Sequence, residues 1–182
     1  RKEALGELNS RTLMLDLERM RIENEQRDLA IARQMQDSFT PAETSITWND
    51  FQIQFYTSKH GLLGGDWMAS RQTSDHLIII VADATGKGIS AGLVVHAIQS
   101  LWAFAFQEPV FDPVKWMQGA NHTLYEMGNG RDHSMSLGIA VLARDHVTYY
   151  SAGHVPMFLI FPEPHPQSLK TLTGGGTPLG MS

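Results

Sequence analysis

Residues 77–93 read LIIIVADATGKGISAGL, and the first eight of them decide the fold. Leu77 to Val81 is an unbroken run of branched apolar side chains, the pattern of a strand buried on both faces, and it delivers Asp83 into a segment holding Gly86 and Gly88. Residues 62–72 before it also read as a strand, and Thr73-Ser74-Asp75-His76 reads as a four-residue turn joining the two. A symmetric antiparallel hairpin then sets Gln72 against Leu77 and, counting back, Asp66 against Asp83. Side chains so opposed have Cβ atoms roughly 4.5–5.5 Å apart, and like charges there destabilise the pair. A divalent cation would offset the repulsion, as would a shared proton with one carboxyl pKa raised. The same residues also fit an ordinary hairpin with two solvated aspartates, because Asp and Gly are what turns are made of. Gly64 and Gly65 allow close backbone approach beside Asp66, while Gly86 and Gly88 allow positive φ where the chain reverses into a helix.

Outward from this hairpin, residues 1–39 are polar, free of Pro and rich in Leu, Glu, Arg and Gln, with Leu8, Leu15, Ile22 and Leu29 at intervals of seven. The other seam position is polar (Thr12, Arg19, Gln26, Arg33), so the spacing predicts a long helix with half a coiled-coil seam. At about 57 Å it would outreach a small domain, which favours a dimerising linker over a helix packed on its own domain. Pro41 ends it, and the domain boundary is set at residues 41/42. Residues 46–56 alternate, with Phe51, Ile53 and Phe55 on one face, and are expected to form one half-buried strand. Ile89 to Phe106 is apolar almost all round and reads as a helix buried on more than one side. Asp112 and Pro113 are the cap and first position of a second helix that Gly128 ends. Strands follow at 134–143, 146–151, 157–161 and 169–172, the first two joined by a tight turn at Arg144-Asp145, with a proline-rich loop over Pro162, Pro164 and Pro166. This order is α+β, with antiparallel pairing wherever the connections are short.

With 182 residues, the chain is long enough for one well-packed domain with an appendage. A net charge of −5 without a basic block argues against nucleic acid as a partner. The absence of cysteine excludes thiolate ligands and disulfides and fits a reducing, cytoplasmic compartment. No apolar run approaches the ~20 residues of a membrane span, so no membrane contact is expected of this segment. Starting on Arg1, the chain reads as part of something longer.

Three motifs mislead. Gly86-Lys87 suggests a phosphate-binding loop, but Val81 stands where that motif needs Gly and Gly88 where it needs Ser or Thr. Gly88-Ile89-Ser90-Ala91-Gly92 matches the nucleophile elbow of serine hydrolases. That elbow needs its Ser directly after the strand, whereas Asp83 to Gly88 intervenes here, and Ser90 is expected to cap the helix. The eight histidines form no i, i+4 pair on one helix; His154, at a strand end, reads as a structural imidazole.

Taken in order, Gly64-Gly65-Asp66, Asp83-Ala84-Thr85-Gly86-Lys87-Gly88-Ile89-Ser90-Ala91, Asn121, Ser151-Ala152-Gly153-His154-Val155-Pro156 and Thr177-Pro178-Leu179-Gly180 resemble the SpoIIE/RsbU-like branch of the PPM (PP2C-type) serine/threonine phosphatases. Residues 30–41 are similar to the linker that precedes that domain in bacterial regulators. Ser90, where that branch often has Pro, and Gly92, where it has Ala, are small departures.

The resemblance implies a four-layer α-β-β-α sandwich of antiparallel sheets over residues 42–182, with two Mn²⁺ or Mg²⁺ ions at one end. By analogy Asp83 would bridge both metals, the Ala84 carbonyl would bind one, and Asp66 would bind directly or through water. Hard cations want such oxygen ligands, and two of them activate water for in-line attack on a phosphoryl group. The implied substrate is phosphoserine or phosphothreonine on a small protein such as an anti-sigma-factor antagonist, and the implied assembly is a homodimer through the N-terminal helix. The family's domain continues for a further strand and helix that carry more aspartates. Ending at Ser182, this chain is expected to hold a partial metal centre and to be weak or inactive as it stands. Two other readings remain: a non-catalytic dimerising module that binds a partner protein, and, more remotely, a serine esterase through Ser90.

Overall fold

The two halves of the hairpin are β3 (Asp66–Gln72) and β4 (Leu77–Ala84), and in the computed structural model they form half of a four-stranded antiparallel sheet. The structure describes residues 2–38, 45–49, 51–56, 63–107, 110–128, 133–160 and 169–181, with side chains from residue 10 onward. β5 (Met135–Leu142) and β6 (Val147–Ala152) complete the sheet in the order β3-β4-β5-β6. The turn closes as the sequence predicts: Thr73 N–H donates to the His76 carbonyl at 2.9 Å, and His76 N–H to Thr73 Oγ1 at 3.0 Å. The second turn is equally tight, with Ala143 N–H on the His146 carbonyl at 2.9 Å.

β4 is apolar from Leu77 to Ile80 because both its faces are covered there. Ile78, Ile80, Ala82 and Ala84 join Trp67, Ala69, Leu137 and Ile139 in one core, sealed by α2 (Ile89–Phe104) through Val94, Val95, Ile98 and Trp102 and by α3 (Pro113–Met127) through Ala120 and Leu124. On the opposite face Leu77, Ala140 and Leu142 pack with Trp48, Ile53 and Met157. Those residues come from two antiparallel ribbons, β1-β2 (Ser45–Trp48, Phe51–Gln54) and β7-β8 (Met157–Ile160, Leu169–Leu172). Each fully buried Leu or Ile contributes about 1.5–3 kcal/mol over an exposed one. The second cover stops short of the sheet's far end, so Val81 is 36% exposed and Asp83 emerges into solvent. Closing one end of β4 and opening the other is what positions the site.

The α+β order with antiparallel sheets after an N-terminal helix stands, with several local corrections. Residues 46–56 form a hairpin rather than one strand. Asn49 takes a left-handed φ of 50°, and the chain reverses between Trp48 and Phe51, the opposed residues. β3 begins at Asp66 rather than near residue 62; Leu63, Gly64 and Gly65 form a loop before it. Helix α2 is capped by Gly88 and not by Ser90: Gly86 (φ 99°) and Gly88 (φ 72°) turn the chain so sharply that the helix has begun before Ser90 is reached. α2 is also covered on fewer sides than its composition suggests, since Leu93 is 59% exposed. Asp112 does cap α3, accepting from Val114 and Lys115 N–H at 2.9 and 3.0 Å, with Pro113 at its first position. The expected helix stop at Pro41 and the proline-rich loop over residues 162–166 lie outside the described residues.

α1 (Lys2–Ser38) has 37 residues and so runs about 55 Å. Of its described seam positions Leu15 and Ile22 face solvent, at 61% and 45% exposure, while Leu29 is half-buried. Surface pairs such as Arg19–Glu23 (3.1 Å) and Arg21–Glu25 (3.3 Å) add only a few tenths of a kcal/mol each to the helix. Among the described residues no helix is long and apolar enough to cross a membrane.

Candidate metal centre

The register of β3 on β4 runs from Gln72↔Leu77 to Asp66↔Asp83, so the two carboxylates stand directly across from each other on the exposed end of the sheet. On the same row β5 contributes Ser136, the partner of Asp83. Burial pushes the Asp83 carboxyl above its ordinary 3.8, and repulsion from Asp66 adds to the rise, while the charge of His154 works in the opposite direction. The pair is therefore a place where negative charge is crowded and a cation is welcome.

Backbone around the pair is held tightly. Ala84 N–H donates to the Gly65 carbonyl at 2.9 Å, tying the residue after one aspartate to the residue before the other. A Cβ on Gly65 would lie 2.6 Å from the Ala84 carbonyl oxygen, closer than real contacts allow, so only glycine lets the strands meet this way. Next along the chain, Thr85 N–H bonds the Ser134 carbonyl at 2.8 Å, and the two hydroxyls share a bond of 2.6 Å. The loop that leads from Asp83 to α2 is thus anchored on Ser134, the residue just before β5.

The loop that carries Asp66 is anchored on α1. Gln36 Nε2 donates to the Gly64 carbonyl at 2.8 Å and its Oε1 accepts from Gly64 N–H at 3.3 Å. Gln99 of α2, 1% exposed, donates to the Gln36 carbonyl at 3.4 Å. Replacing Gln36 by Ala removes both bonds to Gly64 and is expected to lower stability by about 1–2 kcal/mol, read as a shift in urea midpoint at unchanged slope. An unshifted midpoint would mean that α1 is not docked there.

Residues 73–182 match the family model described as stage II sporulation protein E. The chain belongs to the SpoIIE family. Among solved structures, this SpoIIE-family chain is similar to the SiaA-PP2C domain of Pseudomonas aeruginosa (TM-score 0.61, 17% identity, covering 87% of this chain and 63% of that one). It is also similar to the RsbU and RsbW domains of Rv1364c from Mycobacterium tuberculosis (TM-score 0.53, 20% identity, 68% of this chain and 34% of that one). At such identities the likeness is one of fold, a PP2C-type fold, and the chain spans less than two thirds of either structure. No curated protein matches it by sequence.

The family match takes in Asp83 and Ala84 but begins after Asp66, whose place rests on the strand register. Among the described residues no group of three or more His, Asp or Glu side chains gathers as a metal cage. What the SpoIIE-family chain offers is two opposed carboxylates and the adjacent Ala84 carbonyl, an all-oxygen set suited to a hard divalent cation. Asn121, far from the pair in sequence, accepts from Gly180 N–H at 2.8 Å and closes α3 onto the chain's last segment, a structural use. Gln36, Thr85 and Ser134 are the supporting residues that sequence reasoning missed; each is a polar residue whose partner is 28 or more positions away.

Proposed function

We propose that this SpoIIE-family domain is a metal-dependent phosphoserine/phosphothreonine protein phosphatase of a bacterial signalling regulator, its substrate a small phosphoprotein such as an anti-sigma-factor antagonist. The observation that carries this reading is the Asp66↔Asp83 register, which sets two carboxylates directly opposite each other at the exposed end of the sheet. Asp66, Asp83 and the Ala84 carbonyl are the residues that would hold Mn²⁺ or Mg²⁺. Bound there, the two ions expected in this family would neutralise phosphoryl charge and lower the pKa of water. The chain's own contribution is to fix those oxygens before substrate arrives, through Gly65 on one strand and Thr85–Ser134 beside the other.

The exposed Leu15 and Ile22 on α1 support a parallel homodimer in which residues 1–41 link an upstream sensor to the phosphatase domain at 42–182, and the absence of cysteine favours a cytoplasmic setting. A manganese titration of the full-length protein against a phosphoserine peptide tests the assignment. Turnover should require millimolar or lower Mn²⁺; turnover persisting in chelator would sink it.

The raised Asp83 carboxyl also fixes a pH dependence. The folded metal-free protein holds its proton more tightly than the unfolded chain, so this group favours the fold below 3.8, and that contribution is lost as pH rises through the raised value. The same proton competes with metal. Apparent Mn²⁺ affinity is therefore expected to fall as pH is lowered toward the raised value, while the metal-free protein gains stability over the same window. Calorimetric titrations at stepped pH check both; an affinity flat across that window would contradict the assignment of Asp83 as ligand.

A further inference from the structure

The turn after β6 presents a side chain that the metal centre does not use. An isolated bridge sets Gly153 beside Leu137, so the Ser151–Val155 turn flanks β5 one residue along from Ser136, the partner of Asp83. The turn is rigid: Ser151 Oγ donates to the His154 carbonyl at 3.2 Å and accepts from His154 N–H at 3.1 Å, and Gly153 sits at φ 63° against Pro178. Tyr149 crosses the sheet face over Gly138, where a Cβ would lie 2.6 Å from its hydroxyl, and that hydroxyl donates to the Val155 carbonyl at 2.7 Å and meets His154 Nδ1 at 3.3 Å. Nδ1 is also 3.3 Å from the Val155 carbonyl. Among the described residues the ring's contacts are all through Nδ1, which orients the imidazole and leaves Nε2 to donate. Its charge acts on Asp83 across the end of the sheet, and among the described residues the two form no ion pair.

We propose that His154 is a further catalytic residue of this site, delivering the proton that the departing seryl or threonyl oxygen needs, and that Tyr149 is its positioning residue. The proposal rests on the phosphatase reading above. Water attacks phosphorus as the P–O bond to the side-chain oxygen breaks. The electron pair leaves with that oxygen and takes the Nε2 proton. The attacking water's spare proton goes to solvent, from which the imidazole is reprotonated, leaving alcohol and inorganic phosphate. An alkoxide is a poor leaving group without that proton, whereas p-nitrophenolate leaves unaided, and this difference separates proton delivery from a structural role.

The test compares His154→Gln and Tyr149→Phe with wild type in the full-length protein, using Mn²⁺, a phosphoserine peptide and p-nitrophenyl phosphate. For His154→Gln the expected result is a loss of about 100-fold in kcat on the peptide and less than threefold on p-nitrophenyl phosphate, with Mn²⁺ affinity by calorimetry within twofold of wild type. Tyr149→Phe should show the same discrimination at about fivefold, and it decides the matter if His154→Gln does not fold. Equal losses on both substrates, no loss on either, or a tenfold fall in Mn²⁺ affinity would each overturn the role of His154 while leaving the phosphatase reading intact. A wild type inactive on both substrates would take the two down together.

Discussion

Replacing Asp83 by Asn is expected to abolish metal-dependent phosphatase turnover and, in the same molecule, to stabilise the metal-free fold. The two effects have one origin. Asp83 is the partner of Asp66 at the open end of β4, and two like charges directly opposed across a strand pair are unfavourable by up to about 1 kcal/mol. Asn keeps the shape and removes one charge, so urea unfolding in chelator should move to a higher midpoint. Metal-dependent turnover meanwhile loses a charged ligand; several kcal/mol of lost stabilisation, at about 1.4 kcal/mol per tenfold, corresponds to a thousandfold or more in kcat. A partner-binding module without chemistry would show the stability gain alone. A residue important only for folding would show loss of both. The opposite signs are what the proposed metal centre predicts, and a variant that keeps wild-type turnover removes Asp83 from the chemistry.

Much of this was legible in the sequence because it follows from local counting. A four-residue turn between Gln72 and Leu77 fixes every later pair, and the opposed aspartates follow without any knowledge of the third dimension. The doubly buried run of β4 was equally readable from its unbroken branched residues, although the cover ends before Val81, the last of them. What failed was what counting cannot reach. The alternation of residues 46–56 passes through Asn49 as if it were a polar strand position, yet its left-handed φ turns the chain back. Ser90 has the right chemistry for a cap but stands two residues too late, because Gly86 and Gly88 have already made the turn. Gln36 is one of several glutamines on α1, and Gln26 and Gln34 point to solvent; nothing in their spacing says which one meets Gly64. Tyr149 likewise reads as an ordinary strand aromatic until Gly138 is seen to leave space for its hydroxyl. Such partners are chosen by tertiary packing, which a one-dimensional period does not encode.

Gly65→Ala is expected to damage the site from a residue that carries no functional group. Its new methyl would meet the Ala84 carbonyl oxygen at 2.6 Å and the Ala84 carbon and nitrogen at 3.4 Å, all backbone atoms of a strand paired on both sides. A flexible side chain would swing away; this backbone cannot. Either β3 lifts off the end of β4, breaking the 2.9 Å bond from Ala84 N–H to Gly65, or the strand pair slides and Asp66 leaves its place opposite Asp83. Overpacking and one lost buried hydrogen bond together cost about 2–4 kcal/mol. Since the strain falls between the two carboxylates, Mn²⁺ affinity should fall along with stability. Gly119→Ala is the matched control. It sits inside α3 with nothing within 4 Å of the added methyl, so the same substitution there should leave metal binding unchanged and stabilise the helix by up to about 1 kcal/mol. Were both variants to bind Mn²⁺ as tightly as wild type in calorimetric titration, the close approach at Gly65 would be a feature of the fold alone and not of the site.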